Sequence, residues 1–137
     1  MKTWLVDTGP LVAYLDADDP EHEPTVKRWD RFGGQFVTSG AVITEAMHFV
    51  GDHPHGSSQL AELAASSGMQ ILDLCQPPEL REAATLMRKY GETPMDFADA
   101  TLLLIAEALN VTEILTLDRH GFSTYRTRKG RALRIVT

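Results

Sequence analysis

The chain has 137 residues, 43% of them hydrophobic, which is enough for one buried core and leaves little room for a second; the expectation is a single domain over residues 1–137. Its lone cysteine, Cys75, excludes an internal disulfide and a thiolate metal cluster, as suits an intracellular protein. The net charge of −6 is uneven: residues 1–118 hold all 19 acids and seven of the 13 basic residues, whereas residues 119–137 hold six cations and no acid.

That acidic body with a basic C-terminal strip points to an anionic partner, or to a solvated Lys/Arg-rich last hairpin. Asp7 interrupts the N-terminus before a signal-peptide apolar region could form. No apolar run approaches the ~20 residues of a membrane helix. A soluble, cytoplasmic protein is expected.

In chain order, residues 4–6 form a short apolar strand that ends at Asp7-Thr8-Gly9-Pro10. Gly9 permits a turn, and Pro10 opens a helix that Leu11 to Leu15 continue. A turn over residues 16–20 precedes a helix over 21–32, with Val26, Trp29 and Phe32 on one face and Gly33-Gly34 as its stop. Residues 35–38 form the second strand, and 40–50 a helix carrying Glu45. A loop over 52–56 holds His53 and His55, which lack the spacing of a zinc site. Residues 57–66 read as a helix capped by the serines, and 70–74 as the third strand.

Pro77-Pro78 opens a helix to about Tyr90, with Gly91 as its end signal. Thr93, Pro94 and Asp96 then read as a helix start: a capping hydroxyl, a proline in the first turn, an acid at the positive end. That helix runs to about Leu109, and its segment Leu102-Leu103-Leu104-Ile105-Ala106 is apolar nearly all round, as a buried helix requires. Residues 113–117 form the fourth strand, ending at Asp118, and 132–136 a last strand.

Strands alternating with helices predict an α/β layer fold with a mostly parallel sheet. Ligands in such folds bind outside the carboxyl ends of the strands. Asp7 and Asp118 end strands; Glu45 and Asp99 sit on helices that the topology can bring to the same end. Clustered carboxylates repel, by roughly 4 kcal/mol for two charges ~4 Å apart at a near-surface dielectric. The flanking sequence supplies no Lys or Arg to neutralise Asp7, Glu45 or Asp99. A divalent cation is the simplest remedy, and an all-oxygen ligand set favours Mg²⁺ or Mn²⁺. Such a site suits phosphoryl chemistry by activating water and stabilising developing charge, hence a metal-dependent nuclease or phosphatase.

Leu5-Val-Asp-Thr-Gly-Pro-Leu-Val-Ala-Tyr-Leu-Asp16 resembles the first motif of the PIN domain, the fold of VapC-type toxin ribonucleases. Thr44-Glu-Ala46 is similar to the place of the second acid. Asp96-Phe-Ala-Asp-Ala100 and Leu115-Thr-Leu-Asp-Arg-His-Gly-Phe122 resemble the third and fourth motifs. The resemblance covers essentially the whole chain. It implies a three-layer α/β fold, with four to five mostly parallel strands flanked by helices, and an endoribonuclease using one or two Mg²⁺ or Mn²⁺ ions. Asp7, Glu45, Asp99 and Asp118 are carried over as the catalytic quartet. Asp7 and Asp99 would be direct metal ligands; Glu45 and Asp118 would act through water or a second ion. Thr8 and Thr116 would be supporting hydroxyls. The resemblance further implies an RNA substrate, a small antitoxin partner and a homodimer.

Many relatives carry Ser or Thr where this chain has Asp96, which leaves two readings: an N-cap for the buried helix, or a fifth acid in the site. The cap is favoured, since Asp ranks among the best N-caps. Taken singly, Asp7 is also good turn chemistry, Asp118 could cap the turn after it, and Glu45 has flanks that do not settle its direction. Asp16, Asp18 and Asp19 read as a solvated loop, His120 as a surface turn residue, and Trp29 as core or dimer surface. Arg119, Arg126 and Arg128 follow the fourth acid and are candidates to grip RNA phosphates or the acids of an antitoxin. An aspartic protease also carries Asp-Thr-Gly, but would need a β-rich dimer and leave Glu45, Asp99 and Asp118 idle. A PIN-like nuclease of RNA processing without an antitoxin, and a catalytically silent binding protein of the same fold, are the remaining alternatives.

Overall fold

The computed structural model describes residues 1–136. Strands β1 (Thr3–Val6), β2 (Gln35–Ser39), β3 (Gln70–Leu72), β4 (Glu113–Leu115) and β5 (Arg134–Ile135) form one all-parallel sheet in the order β3-β2-β1-β4-β5. Around it lie α1 (Thr8–Leu15), α2 (His22–Arg31), α3 (Gly40–Val50), α4 (Gly56–Ser66), α5 (Pro77–Lys89), α6 (Phe97–Leu109) and α7 (Arg119–Thr124). Helices α1 to α4 pack on one another, α5 packs on α6, and α6 lies against β2 and α3. This is the three-layer α/β arrangement expected, with a sheet that is entirely parallel. No helix among the described residues is long and apolar enough to cross a membrane.

The central strands read as continuous apolar runs because both faces of a parallel sheet are covered. Leu5, Val6, Val37, Ile114 and Leu115 are buried accordingly. From β1 the chain adds β2 and β3 on one side, then crosses to add β4 and β5 on the other. The order therefore reverses between β1 and β4, where a crevice opens at the carboxyl ends of the strands. Val6 is in register with Leu115, so Asp7 and Thr116 emerge side by side at that point.

Helix α6 is the anchor. Every residue from Ala100 to Ala106 is buried, and each large side chain there contributes about 1.5–3 kcal/mol relative to exposure. Asn110, left-handed at φ 55°, ends it. One polar residue interrupts the apolar run: the Thr101 hydroxyl lies 2.7 Å from that of Ser39 and donates to the Ala98 carbonyl at 2.6 Å. Ser39 in turn caps α3, accepting from the Val42 amide. A buried hydroxyl pair thus ties the start of α3 to the start of α6.

Several boundaries differ from expectation for identifiable reasons. Thr93 is not a cap; α6 starts at Phe97 with Asp96 as its N-cap, and the Thr93 and Pro94 carbonyls accept instead from the Tyr125 hydroxyl. The serines do not cap α4: His55 occupies that position, and the Ser58 hydroxyl donates to the His55 carbonyl. Gly56, the first residue of α4, must be glycine, since a side chain there would run into the Val50 carbonyl. Gly91 follows α5 without the left-handed conformation of a glycine stop; Tyr90 is the C-cap. Strands β3, β4 and β5 are shorter than the apolar stretches that suggest them. The segment after Asp118, expected as a turn, is the six-residue helix α7, seated by the buried Phe122.

Candidate active site

Asp7 closes β1 and N-caps α1, so its carboxylate is fixed from two sides. Oδ1 accepts from the Thr8 amide at 2.8 Å, and Oδ2 from the Thr116 hydroxyl at 2.7 Å. Thr116 also accepts from the Asp118 amide at 3.0 Å, so one hydroxyl joins the ends of β1 and β4. Asp118 N-caps α7, its Oδ1 accepting from the Gly121 amide at 3.0 Å. Gly121 is needed there, since a side chain at that position would strike the Asp118 carboxylate.

Asp96 and Asp99 cap α6 reciprocally. Asp96 Oδ1 accepts from the Asp99 amide at 2.8 Å, and Asp99 Oδ2 from the Asp96 amide at 3.2 Å. On α3, Val42, Ala46 and Val50 face the core, and Glu45 turns to the cleft. Asp7, Glu45, Asp96, Asp99 and Asp118 line one cleft of about 450 Å³ at the switch point, with Thr8, Phe49 and Leu117 in its walls. The two readings of Asp96 are therefore compatible: it caps the helix and also lines the cleft. Asp19, expected in a solvated loop, lines the cleft as well, positioned by the Glu21 amide that donates to it at 2.8 Å.

Among the described residues, no lysine or arginine lines this cleft. Burial, followed by the neighbouring Glu45 and Asp96 charges, pushes the Asp7 carboxyl up to about 6, against the pull of its two hydrogen bonds. Burial, then Asp7 and Asp96, pushes Asp99 up to about 8. Glu45 is raised too, by burial first and then by Asp96. The Thr8 hydroxyl favours the Glu45 charge, yet it is buried with no hydrogen bond of normal geometry among the described residues.

The donor set suits a hard divalent cation. It is all oxygen, it carries uncompensated negative charge, and the second oxygens of Asp96, Asp99 and Asp118 accept no hydrogen bond among the described residues. Among the described residues no three carboxylates stand close enough to enclose an ion as they are placed. Asp96, Asp99 and Asp118 each rest one oxygen on a backbone amide as they are placed.

The basic strip behaves otherwise than its position beside Asp118 suggests. Arg128 pairs with Glu82 and Glu107, each at 2.9 Å, and Arg126 folds back on the carbonyls of Ser123, Thr124 and Tyr125. Arg119 is exposed on α7, and none of the three lines the cleft. Trp29 is core, stacked on Phe36 at 3.9 Å, and His53 and His55 are exposed loop residues. The buried supports Ser39, Thr101 and Tyr125 escape a sequence reading; only Thr101, a hydroxyl inside an apolar helix, leaves a visible signal.

The fold and the cleft together define an α/β protein with a carboxylate centre at the switch point of a parallel sheet. The PIN-domain family model matches residues 4–127. Ribonuclease VapC26 of Mycobacterium tuberculosis (strain ATCC 25618 / H37Rv) is 30% identical over 133 residues, 96% of this chain and 98% of that protein. The chain belongs to the PIN-domain family, with VapC-type relatives. The crystal structure of Mycobacterium tuberculosis VapC20, described as a sarcin-ricin loop cleaving toxin, superposes with a TM-score of 0.75 at 18% identity, covering 84% of this chain and 89% of that one. That likeness concerns the fold.

Proposed function

We propose that the protein is a Mg²⁺- or Mn²⁺-dependent endoribonuclease that hydrolyses RNA phosphodiester bonds, and that it is the toxin of a toxin–antitoxin pair. The observation that carries this is the convergence of Asp7, Glu45, Asp96, Asp99 and Asp118 on one cleft that no cation of the chain lines. The similarity to Ribonuclease VapC26 supports the RNA substrate and the toxin role. Asp7 and Asp99 would hold the ion directly, with Glu45 and Asp118 acting through water or a second ion. When bound, the metal supplies charge neutralisation at the phosphate and a lowered pKa for the attacking water.

The remaining work falls to the chain. Thr116 holds the Asp7 carboxylate in place and couples it to the Asp118 backbone. Asp96 fixes the first turn of α6, which sets where Asp99 stands. Glu45, half-buried in the cleft and raised in pKa by burial, would take a proton from the attacking water. We further propose that residues 1–137 act as one domain, in the cytoplasm, as a homodimer held silent by a small antitoxin. Purified protein incubated with RNA tests the chemistry. Cleavage should stop with EDTA, resume with Mg²⁺ or Mn²⁺, and be absent in Asp99→Asn; a fully active Asp99→Asn protein contradicts the assignment.

A further inference from the structure

At the opposite end of the sheet from the carboxylates, a groove of about 610 Å³ runs between α2 and the amino ends of β1 and β5. Lys2, Lys27, Arg28, Arg31 and Arg134 line it, from α2, β5 and the N-terminal segment. Only Glu113 answers them, paired with both Lys2 and Arg134. Lys27, Arg28 and Arg31 make no ion pair among the described residues. Arg28 and Arg31 stand in the last turn of α2, where the helix dipole favours cations. That placement explains two charges, and leaves unexplained why Lys27, Lys2 and Arg134 converge on the same groove. The acids of α2 stay out of it; Asp30 accepts from the Tyr14 hydroxyl instead.

We propose that this groove is a second RNA-binding site, holding backbone phosphates of the strand whose cleavage the preceding section assigns to the acidic cleft; the inference rests on that assignment. A polyanion meets six carboxylates and no cation at the cleft, so its affinity must come from elsewhere on the surface. Arg126 and Arg128 do not line the cleft and are engaged within the chain. The groove gathers three cations without an ion pair among the described residues, Lys27, Arg28 and Arg31, beside two that share one acid. Lys27 and Arg31 lie one helical turn apart, about 5.4 Å along the axis, a ladder suited to successive phosphates. The five-residue step from Lys2 to Asp7 is about 17 Å of strand, so an RNA of more than a few nucleotides reaches both ends.

The groove recognises charge, without a base-stacking platform. Trp4 is stacked on Phe32 at 3.7 Å, and Phe36 packs against both rings, so the aromatic faces are already occupied. An acidic peptide would need pockets for its side chains to bind specifically, and these self-stacked rings provide none. Sequence-tolerant contact with phosphates is the chemistry that fits.

The test is fluorescence anisotropy of a labelled single-stranded RNA across a KCl series, with Mg²⁺ present and Asp99→Asn in every protein to prevent cleavage. Replacing three phosphate contacts with Lys27→Ala/Arg28→Ala/Arg31→Ala should flatten the salt slope by about 2 and weaken binding at least about tenfold at low salt. A second protein, Lys2→Gln/Arg134→Gln, changes exposed side chains on other elements and should flatten the slope by about 1; it decides the matter if the triple variant melts early. Equal slopes in parent and both variants overturn the inference and leave the ribonuclease assignment standing. Loss of poly-glutamate binding in the variants with RNA binding intact would also overturn it, in favour of an acidic protein partner. A parent that binds no RNA at any salt defeats both.

Discussion

The two ends of the central sheet are built from the same short parallel strands and carry opposite charge. At the carboxyl ends, Asp7, Glu45, Asp96, Asp99 and Asp118 crowd one cleft without a cation, and burial drives Asp7 and Asp99 upward in pKa. At the amino ends, Lys2, Lys27, Arg28, Arg31 and Arg134 share one acid, remain mostly exposed, and are left to water. The difference lies in burial. Exposed cations at the groove cost little and can wait for a partner. The carboxylates are held in a half-buried crevice by caps and hydroxyls, so their repulsion is paid for by the stability of the fold around them. A rigid charged site and a loose charged site on one small protein suggest division of labour: chemistry at one end, tethering at the other.

Breaking the rigid end should have the largest effect. Asp7→Asn keeps the shape but removes the charge and leaves one oxygen to accept from either the Thr8 amide or the Thr116 hydroxyl, and should lower RNA cleavage more than about 100-fold, read as kcat/KM on a labelled oligoribonucleotide. Thr116→Val leaves Asp7 Oδ2 and the Asp118 amide without their shared partner. It should lower cleavage about 10- to 100-fold and unfold at lower urea by about 1–2 kcal/mol. An equally active Thr116→Val protein would mean that the hydroxyl bridge is incidental.

The pH dependence separates the ends without touching activity. Folded Asp7 and Asp99 titrate near 6 and near 8, above their ordinary value of 3.8, so the folded state binds protons more tightly than the unfolded chain. Their stabilising contribution is full below about pH 4 and is lost as the pH rises through 6 and 8. In EDTA, urea stability should therefore fall across that window. Asp99→Asn should flatten the fall and be more stable than the parent at pH 8, by on the order of 1 kcal/mol after allowance for solvent screening. A flat parent profile would contradict the burial assigned to the cleft. The smallest effect belongs to the loose end: Glu113→Gln frees Lys2 and Arg134 and should tighten RNA binding about two- to threefold at low salt, measured by anisotropy.

How much of this was legible in the sequence follows from where each element gets its information. Helix α3 was readable to the residue, because Gly40 and the break after Val50 are local signals. Helix α6 was readable for its apolar run, but Thr93 and Pro94 imitated a start that Tyr125, 31 or more residues away, pre-empts by holding their carbonyls. Asp7 announced itself as a strand end, whereas Asp118, expected to end the fourth strand, stands past β4 as the N-cap of α7. Glu45 did not disclose its direction, because Ile43 and Phe49 are apolar yet outside the buried stripe that sets the helix rotation. The arginines after Asp118 looked free in sequence, whereas Arg128 finds Glu82 and Glu107 only through the packing of α5 on α6. The amino-end groove was invisible for the same reason: Lys2, Arg28 and Arg134 are spread over the length of the chain, and meet only because the register of β1, β4 and β5 aligns Lys2 with Arg134 and α2 lies beside them.

The most direct test of the central claim is calorimetric titration of Mn²⁺ into the metal-free protein, beside Asp7→Asn. A carboxylate cleft that takes a divalent cation predicts saturable binding by the parent, proton release that grows as the pH falls from 8 to 6, and loss of both in the variant. Equal binding by the two proteins, or RNA cleavage by a parent that binds no metal, would contradict it.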